Sequence, residues 1–182
     1  GTAPADGQVA AAVESPTLAE RLEVMMKHSD NVYAEAIGRE VALKRGTKDA
    51  PGAALSVLAE RGFDTAGVTL VDNSGLSTDD RIPAQLLDAL MLDATTKPEL
   101  RPLLAALPVA AADGTLADRY GDLPGRGWVR AKTGTLDNTA SLAGTVTSVN
   151  GNVYTFALIC NDADVLAARR AMDEFTSALR EF

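Results

Sequence analysis

The sequence holds a single cysteine, Cys160, and a single histidine, His28, in 182 residues. One thiol permits no internal disulfide and leaves the redox compartment open, and its place in an apolar run reads as a small hydrophobe rather than a reactive group. His28 adjoins Ser29, but neighbours on a helix point apart, so the pair does not read as a Ser/His relay. No cluster of histidines, cysteines or carboxylates has ligand spacing, so no metal is expected, and no cofactor either. Basic residues are also scarce, 17 against 25 acidic for a net charge of −8. That balance argues against a nucleic-acid or anionic-lipid partner, which needs a basic footprint. Long apolar runs are missing as well. Val109–Ala112 and Phe156–Cys160 fall far short of the roughly 20 residues that span a bilayer, and no leader with a basic start and an apolar run begins at Gly1-Thr2-Ala3.

What is there suffices for a core: 46% of the residues are hydrophobic, over a length typical of one domain. Gly1–Gly7 reads as a tail or the end of a linker, so the chain is expected to start partway through a longer protein. Ser15-Pro16-Thr17 offers a helix cap with proline in the first turn, with Thr17 and Glu20 as a capping box and Leu18, Leu22, Met25 and Met26 on one face. Ser29-Asp30-Asn31 interrupts that periodicity, which resumes at Val32 and runs to Gly46, so two helices meet at a serine-bearing corner. Further helices are predicted at Gly52–Arg61, Pro83–Asp93 and Pro98–Ala106, and a short strand at Gly67–Val71. From Trp128 the period changes to that of strands: Trp128–Thr135, Ala140–Val149 and Asn152–Cys160, the last two joined by Asn150-Gly151 as a two-residue hairpin. Val165, Ala168, Met172, Phe175 and Leu179 mark a closing amphipathic helix. Helices, then neighbouring strands, then a helix predict an α+β fold with an antiparallel sheet flanked by helices. Gly121–Gly127, though rich in glycine, precedes a strand and reads as a lead-in rather than a phosphate loop.

Two motifs carry chemistry. Ser29-Asp30-Asn31 has an ordinary reading as a helix entrance, since all three types are favoured caps. Lys132-Thr133-Gly134-Thr135 has one as a protected edge strand with a bulge. Their functional reading is acyl transfer. A strand edge can receive an extended peptide, with Lys132, Thr133 and Thr135 supplying charge and donors to a terminal carboxylate while Gly134 admits close approach. The Thr135 N–H could form half of an oxyanion hole, and Ser29 and Asn31 could relay a proton and hold the substrate amide. A nucleophile with an adjacent base is lacking, because none of the serines begins a Ser-x-x-Lys.

Together the two motifs match the second and third signatures of the serine enzymes that act on D-Ala-D-Ala peptides and penicillins. Five ordered blocks extend the likeness: Glu14–Leu18, Met26–Glu35, Val71–Ser77, Val109–Leu116 and Arg130–Leu136. From about Val13 to Asp162 the chain resembles the class C low-molecular-mass penicillin-binding proteins, the D-Ala-D-Ala carboxypeptidases and endopeptidases of bacterial peptidoglycan. The resemblance implies a serine β-lactamase/transpeptidase-like domain of which residues 1–182 form the C-terminal portion. The Ser-x-x-Lys segment and inserted domains would lie upstream, on a companion segment or chain. It implies a serine D-Ala-D-Ala carboxypeptidase, or endopeptidase, in the extracytoplasmic cell envelope, acting on stem peptides and binding β-lactams. The isolated chain, lacking the nucleophile, is expected to be inactive. Ser29 becomes the proton relay, Asn31 an amide contacting substrate, Lys132 the electrostatic partner of the relay, Thr133 and Thr135 the carboxylate ligands, and Gly134 the permissive position. Asp72, Ser74, Gly75, Asp113 and Gly114 are assigned to structure near the site. Two alternatives stay open: a non-catalytic peptidoglycan-binding module, and a class A-like β-lactamase. Against the latter, the nearest candidate for a deacylating glutamate loop, Glu40–Lys44, ends wrongly and falls in a predicted helix.

Overall fold

A computed structural model of the chain describes residues 1–2 and 4–182. Six α-helices surround a three-stranded sheet: α1 Leu18–His28, α2 Asn31–Lys44, α3 Ala50–Glu60, α4 Ala84–Thr96, α5 Arg101–Ala106, then β1 Val129–Leu136, β2 Thr139–Thr147, β3 Val153–Cys160 and α6 Val165–Arg180. This is the expected α+β arrangement, with an antiparallel sheet in the order β1-β2-β3. Side-chain caps mark the starts of α1, α3 and α6. Thr17 and Glu20 form a complete capping box at α1, Asp49 accepts from the Gly52 N–H at α3, and Asp164 accepts from the Ala167 N–H at α6. Each such cap satisfies donors that the first helical turn leaves free. Thr17 itself is the cap of α1, so Pro16 lies before the helix rather than in its first turn.

The core has two centres. Ala131, Ala140, Leu142, Val146 and Phe156, alternate residues of the three strands, pack with Ala168 and Met172 of α6 and with Leu116 and Tyr120 of the loop before β1. The two-residue strand period puts these side chains on one face. α4 packs on β3 and β2 from the other side, and its Met91 joins Met26 of α1 and Leu107 in a second cluster. That second cluster seats the end of α1 beside the sheet. Phe175, expected to face inward on α6, is 49% exposed. Asp173, Thr176 and Ser177 are buried instead, because they bond to the loop before β1. Tyr120 Oη meets Thr176 Oγ1 at 2.8 Å, and the Gly125 N–H donates to Ser177 Oγ at 3.1 Å.

Two local expectations fail. Gly67–Val71 forms no strand: Thr69 and Arg81 make one isolated bridge, and the Val71 N–H is taken by the Asp80 carboxylate, so no second pair follows. The β2–β3 hairpin is not a two-residue turn. Ser148 and Asn152 pair across Val149-Asn150-Gly151, with the Gly151 N–H donating to Ser148 O and Gly151 at φ 81°. A three-residue loop with a left-handed third position is the other common hairpin closure, and it needs glycine there. The two-residue turn is at Asp137-Asn138, between the paired Leu136 and Thr139.

Candidate active site at the corner of two helices and a strand edge

The Ser29 corner is made by two caps. α1 stops where Ser29 takes left-handed backbone, φ 55° and ψ 48°, its N–H bonded to Met25 O. Asp30 then caps α2, its Oδ1 accepting the Tyr33 N–H at 2.9 Å. The capping role open by residue type to Ser29 and Asn31 therefore falls to Asp30, and both flanking side chains are released from it. A non-glycine residue in the left-handed region is uncommon and is held there by its surroundings. Ser29 is held by a contact from far along the chain: Lys132 Nζ donates to Ser29 Oγ at 2.7 Å across 103 positions. Lys132 Nζ also donates to Thr133 O at 2.8 Å. Burial penalises the ammonium and lowers its pKa from 10.5 to about 8.

β1 is an edge strand, and its free edge changes character halfway. The Ala110 N–H donates to Val129 O, and the Ala131 N–H to Pro108 O, so the Pro108–Ala110 segment occupies the first half. In an antiparallel strand every second residue turns its N–H and C=O the same way. The outward direction of residues 129 and 131 is thus shared by Thr133 and Thr135, whose N–H groups face the open half of the edge. On the sheet face that α6 covers, Thr133 Oγ1 donates to Thr115 Oγ1 at 2.8 Å, and Arg169 Nη2 donates to Thr135 Oγ1 at 2.7 Å. A cleft of about 590 Å³ opens there, lined among others by Ser29, Thr115, Thr133, Thr135, Arg119 and Arg169. Gly134 lies opposite Ser141 of β2, and a Cβ at position 134 would run into Ser141 Oγ. That hydroxyl can turn aside about its own side-chain bond, so the glycine eases a close approach to β2 as well as leaving the edge unobstructed.

The structure thus brings Ser29, Lys132, Thr133 and Thr135 together. Asn31 lies one residue beyond the cap on the first turn of α2, exposed, and among the described residues its side chain makes no hydrogen bond to Ser29 or Lys132. The two outlying blocks act as braces. Lys27 Nζ, two residues before Ser29, bonds Asp113 Oδ2 at 2.7 Å and Leu107 O at 2.8 Å, while Asp113 Oδ1 accepts the Val109 N–H at 2.8 Å. Burial pushes the Asp113 carboxyl up, but the bonds from Lys27 and Val109 outweigh it and hold the pKa below its usual value. Glu35 Oε1 on α2 accepts the N–H groups of Asn73 and Ser74 at 2.8 and 3.0 Å, and Asp72 accepts those of Gly75 and Ser77. Among the lining groups not singled out from sequence are Thr115, Arg169 and the Arg119–Asp173 pair, bonded at 2.6 and 3.2 Å. Only Thr115 lay within a quoted block. Nothing local marks an arginine on α6 as a neighbour of β1. Among the described residues no group of three or more histidines, cysteines or carboxylates could hold a metal, and no helix is long and apolar enough to cross a membrane.

The family model of the D-Ala-D-Ala carboxypeptidase 3 (S13) family matches residues 1–179. Carboxypeptidase DacB of Mycolicibacterium smegmatis is 48% identical over 184 residues, covering 96% of this chain and 40% of that protein. The D-alanyl-D-alanine carboxypeptidase of Actinomadura sp. is 34% identical over 195 residues, 100% of this chain and 36% of its own length. Among solved structures, penicillin binding protein 4 (dacB) from Haemophilus influenzae superposes with a TM-score of 0.80 at 28% identity, over 90% of this chain and 40% of that one, and it has also been solved with a β-lactam. The chain spans about 40% of the length of the relatives it matches.

Proposed function

This chain belongs to the D-Ala-D-Ala carboxypeptidase 3 (S13) family, and from that membership we propose that residues 1–182 supply the proton-relay and carboxylate-binding part of a serine D-Ala-D-Ala carboxypeptidase acting on peptidoglycan stem peptides. The observation that carries the reading is the 2.7 Å contact between Lys132 Nζ and Ser29 Oγ, which joins the two motifs into one site. The nucleophile is a serine outside these residues, followed three positions later by its lysine base; no Ser-x-x-Lys occurs within them. Residues 1–182 are then one portion of a transpeptidase-like domain completed by that other segment.

The chemistry follows from the geometry. The incoming peptide lies along the open half of the β1 edge, taking main-chain bonds as an added strand. Its terminal carboxylate meets the Thr133 and Thr135 hydroxyls, and Asn31 faces its amide. The serine oxygen attacks the carbonyl carbon of the penultimate D-Ala, with the Thr135 N–H stabilising the developing oxyanion. As the peptide C–N bond breaks, a proton reaches the leaving amine through the Ser29 hydroxyl, and Lys132 stabilises the charge on that relay. D-Ala leaves, and water releases the acyl group. A β-lactam carries an equivalent carbonyl and carboxylate and is held in the same place. The substrate puts the working protein in the extracytoplasmic cell envelope.

In the complete protein, Lys132→Ala is expected to slow acylation by benzylpenicillin by roughly 10²- to 10⁴-fold, the usual contribution of a positioned proton-transfer system, read as mass added over time. An unchanged rate would remove Lys132, and with it the site assignment, from the account. The absence of a nucleophile favours a second reading for these residues taken alone, in which they bind stem peptides without turnover.

A further inference from the structure

We propose that Arg169 on α6 is the cation that reads the free carboxylate of the leaving residue, so that the site selects scissile bonds whose leaving amino acid carries an unblocked carboxylate; the inference rests on the peptidase reading above. Three observations carry it. Arg169 Nη2 donates to Thr135 Oγ1 at 2.7 Å, so the guanidinium stands beside a hydroxyl at the open half of the β1 edge. Because that hydroxyl accepts from Arg169, its own proton is free to be donated outward, towards a second acceptor. Of the other cations near the edge, two are committed elsewhere, while Arg170, which also lines the cleft, is exposed and makes no side-chain bond to β1 among the described residues. Arg119 is paired with Asp173, both side chains largely buried, and Lys132 is bonded to Ser29 Oγ and Thr133 O. Arg169 takes part in none of the ion pairs among the described residues. An unpaired, half-buried guanidinium in a chain of net charge −8 marks a place kept for an anion.

Arginine suits the task in a way that Lys132 does not. Its guanidinium stays protonated at every working pH and presents several donors in one plane, so one can remain on Thr135 while others engage the two oxygens of a carboxylate. Its main chain is fixed as well, since Arg119 Nη2 donates to Arg169 O at 3.3 Å. The Arg119–Asp173 pair thereby holds the α6 turn that bears the reader.

The test uses the complete protein and two acylated peptides that differ only at the end, D-Ala-D-Ala as free carboxylate and as carboxamide. The unsubstituted protein is expected to prefer the carboxylate in kcat/KM. Arg169→Gln is expected to lower kcat/KM for the carboxylate roughly 10- to 100-fold, the loss of a hydrogen bond to a charged group, and to leave the carboxamide within about twofold. Arg169→Lys is expected to fall between, since charge is retained and the fork is lost. An equal loss on both peptides would show a merely structural contact with Thr135 and overturn the proposal, as would no loss on either. Turnover of neither peptide by the unsubstituted protein would overturn the peptidase reading itself, and the inference with it.

Discussion

Ser29 has two ordinary uses, as a cap and as a corner residue, and the structure gives the first to Asp30 and keeps only the second. Its hydroxyl is left for Lys132. Burial lowers the Lys132 pKa to about 8, and this has opposite consequences for activity and stability. The proposed role needs the ammonium, so penicillin acylation is expected to fall as pH rises through about 8. Between about 8 and the ordinary value near 10.5 the unfolded chain binds the proton and the folded chain does not, so this group makes folding more favourable as pH rises. A pH series of acylation rate beside melting temperature, with Lys132→Met as reference, is expected to show activity declining while stability relative to that reference rises. A parallel decline of both would contradict the assignment. At this scale the sequence was informative where the signal is local. Ser29, Lys132, Thr133 and Thr135 lie in short strings of fixed spacing. Thr115 and Arg169 enter the site through contacts made 18 and 34 positions away, and neither spacing nor composition encodes those. Asn31 was legible as a candidate, but its neighbours in the described residues give it no partner.

At the scale of elements, the site depends on holding the end of α1 against the loop that precedes β1. The Lys27–Asp113 clamp does this, and it sits in the half-buried regime: the Lys27 side chain is 11% exposed, the Asp113 side chain 46%. Removing the carboxylate strands a mostly buried ammonium, while partial exposure of the acid limits the cost. Asp113→Ala is accordingly expected to cost about 1–2 kcal/mol, below the range for fully buried pairs. It should also slow acylation, since the α1 end carrying Ser29 loses its anchor. Chemical denaturation checks the first and penicillin labelling the second; full stability with full activity would show the clamp to be idle. Because the Asp113 pKa is held below its usual value, its contribution is present above the ordinary aspartate range and disappears as pH falls through the depressed value. The elements themselves were largely legible, because α1, α2, α3 and α6 begin at side-chain caps and α1 and α6 are clearly amphipathic. The failures were pairing questions. Gly67–Val71 has strand-like residues but no second pair beyond the Thr69–Arg81 bridge. Asn150-Gly151 has hairpin chemistry, yet the position of Gly151 was set by Ser148 pairing with Asn152.

On the scale of the whole molecule, the surface carries the apolar exposure expected where a further segment docks. Val32 is 78% and Leu43 75% exposed on α2, and Leu76 58% in the loop braced against that helix. β1 and β3 are both edge strands of a sheet only three strands wide, and open edges are ordinarily paired or covered. Four of the five sequence blocks converge on one corner of the fold, which periodicity alone could not foretell: the helix corner, the brace loops and the edge strand are joined by contacts between distant residues, while Glu14–Leu18 starts α1 at its other end. The central claim is that this corner completes a serine peptidase whose nucleophile lies on another segment. The most direct test is incubation of the purified chain with a fluorescent penicillin, with and without the polypeptide that carries the Ser-x-x-Lys segment, followed by intact-mass analysis of each component. Label that appears only when both are present, and on the other polypeptide, is the result expected. Label on this chain, or none with both present, would contradict it.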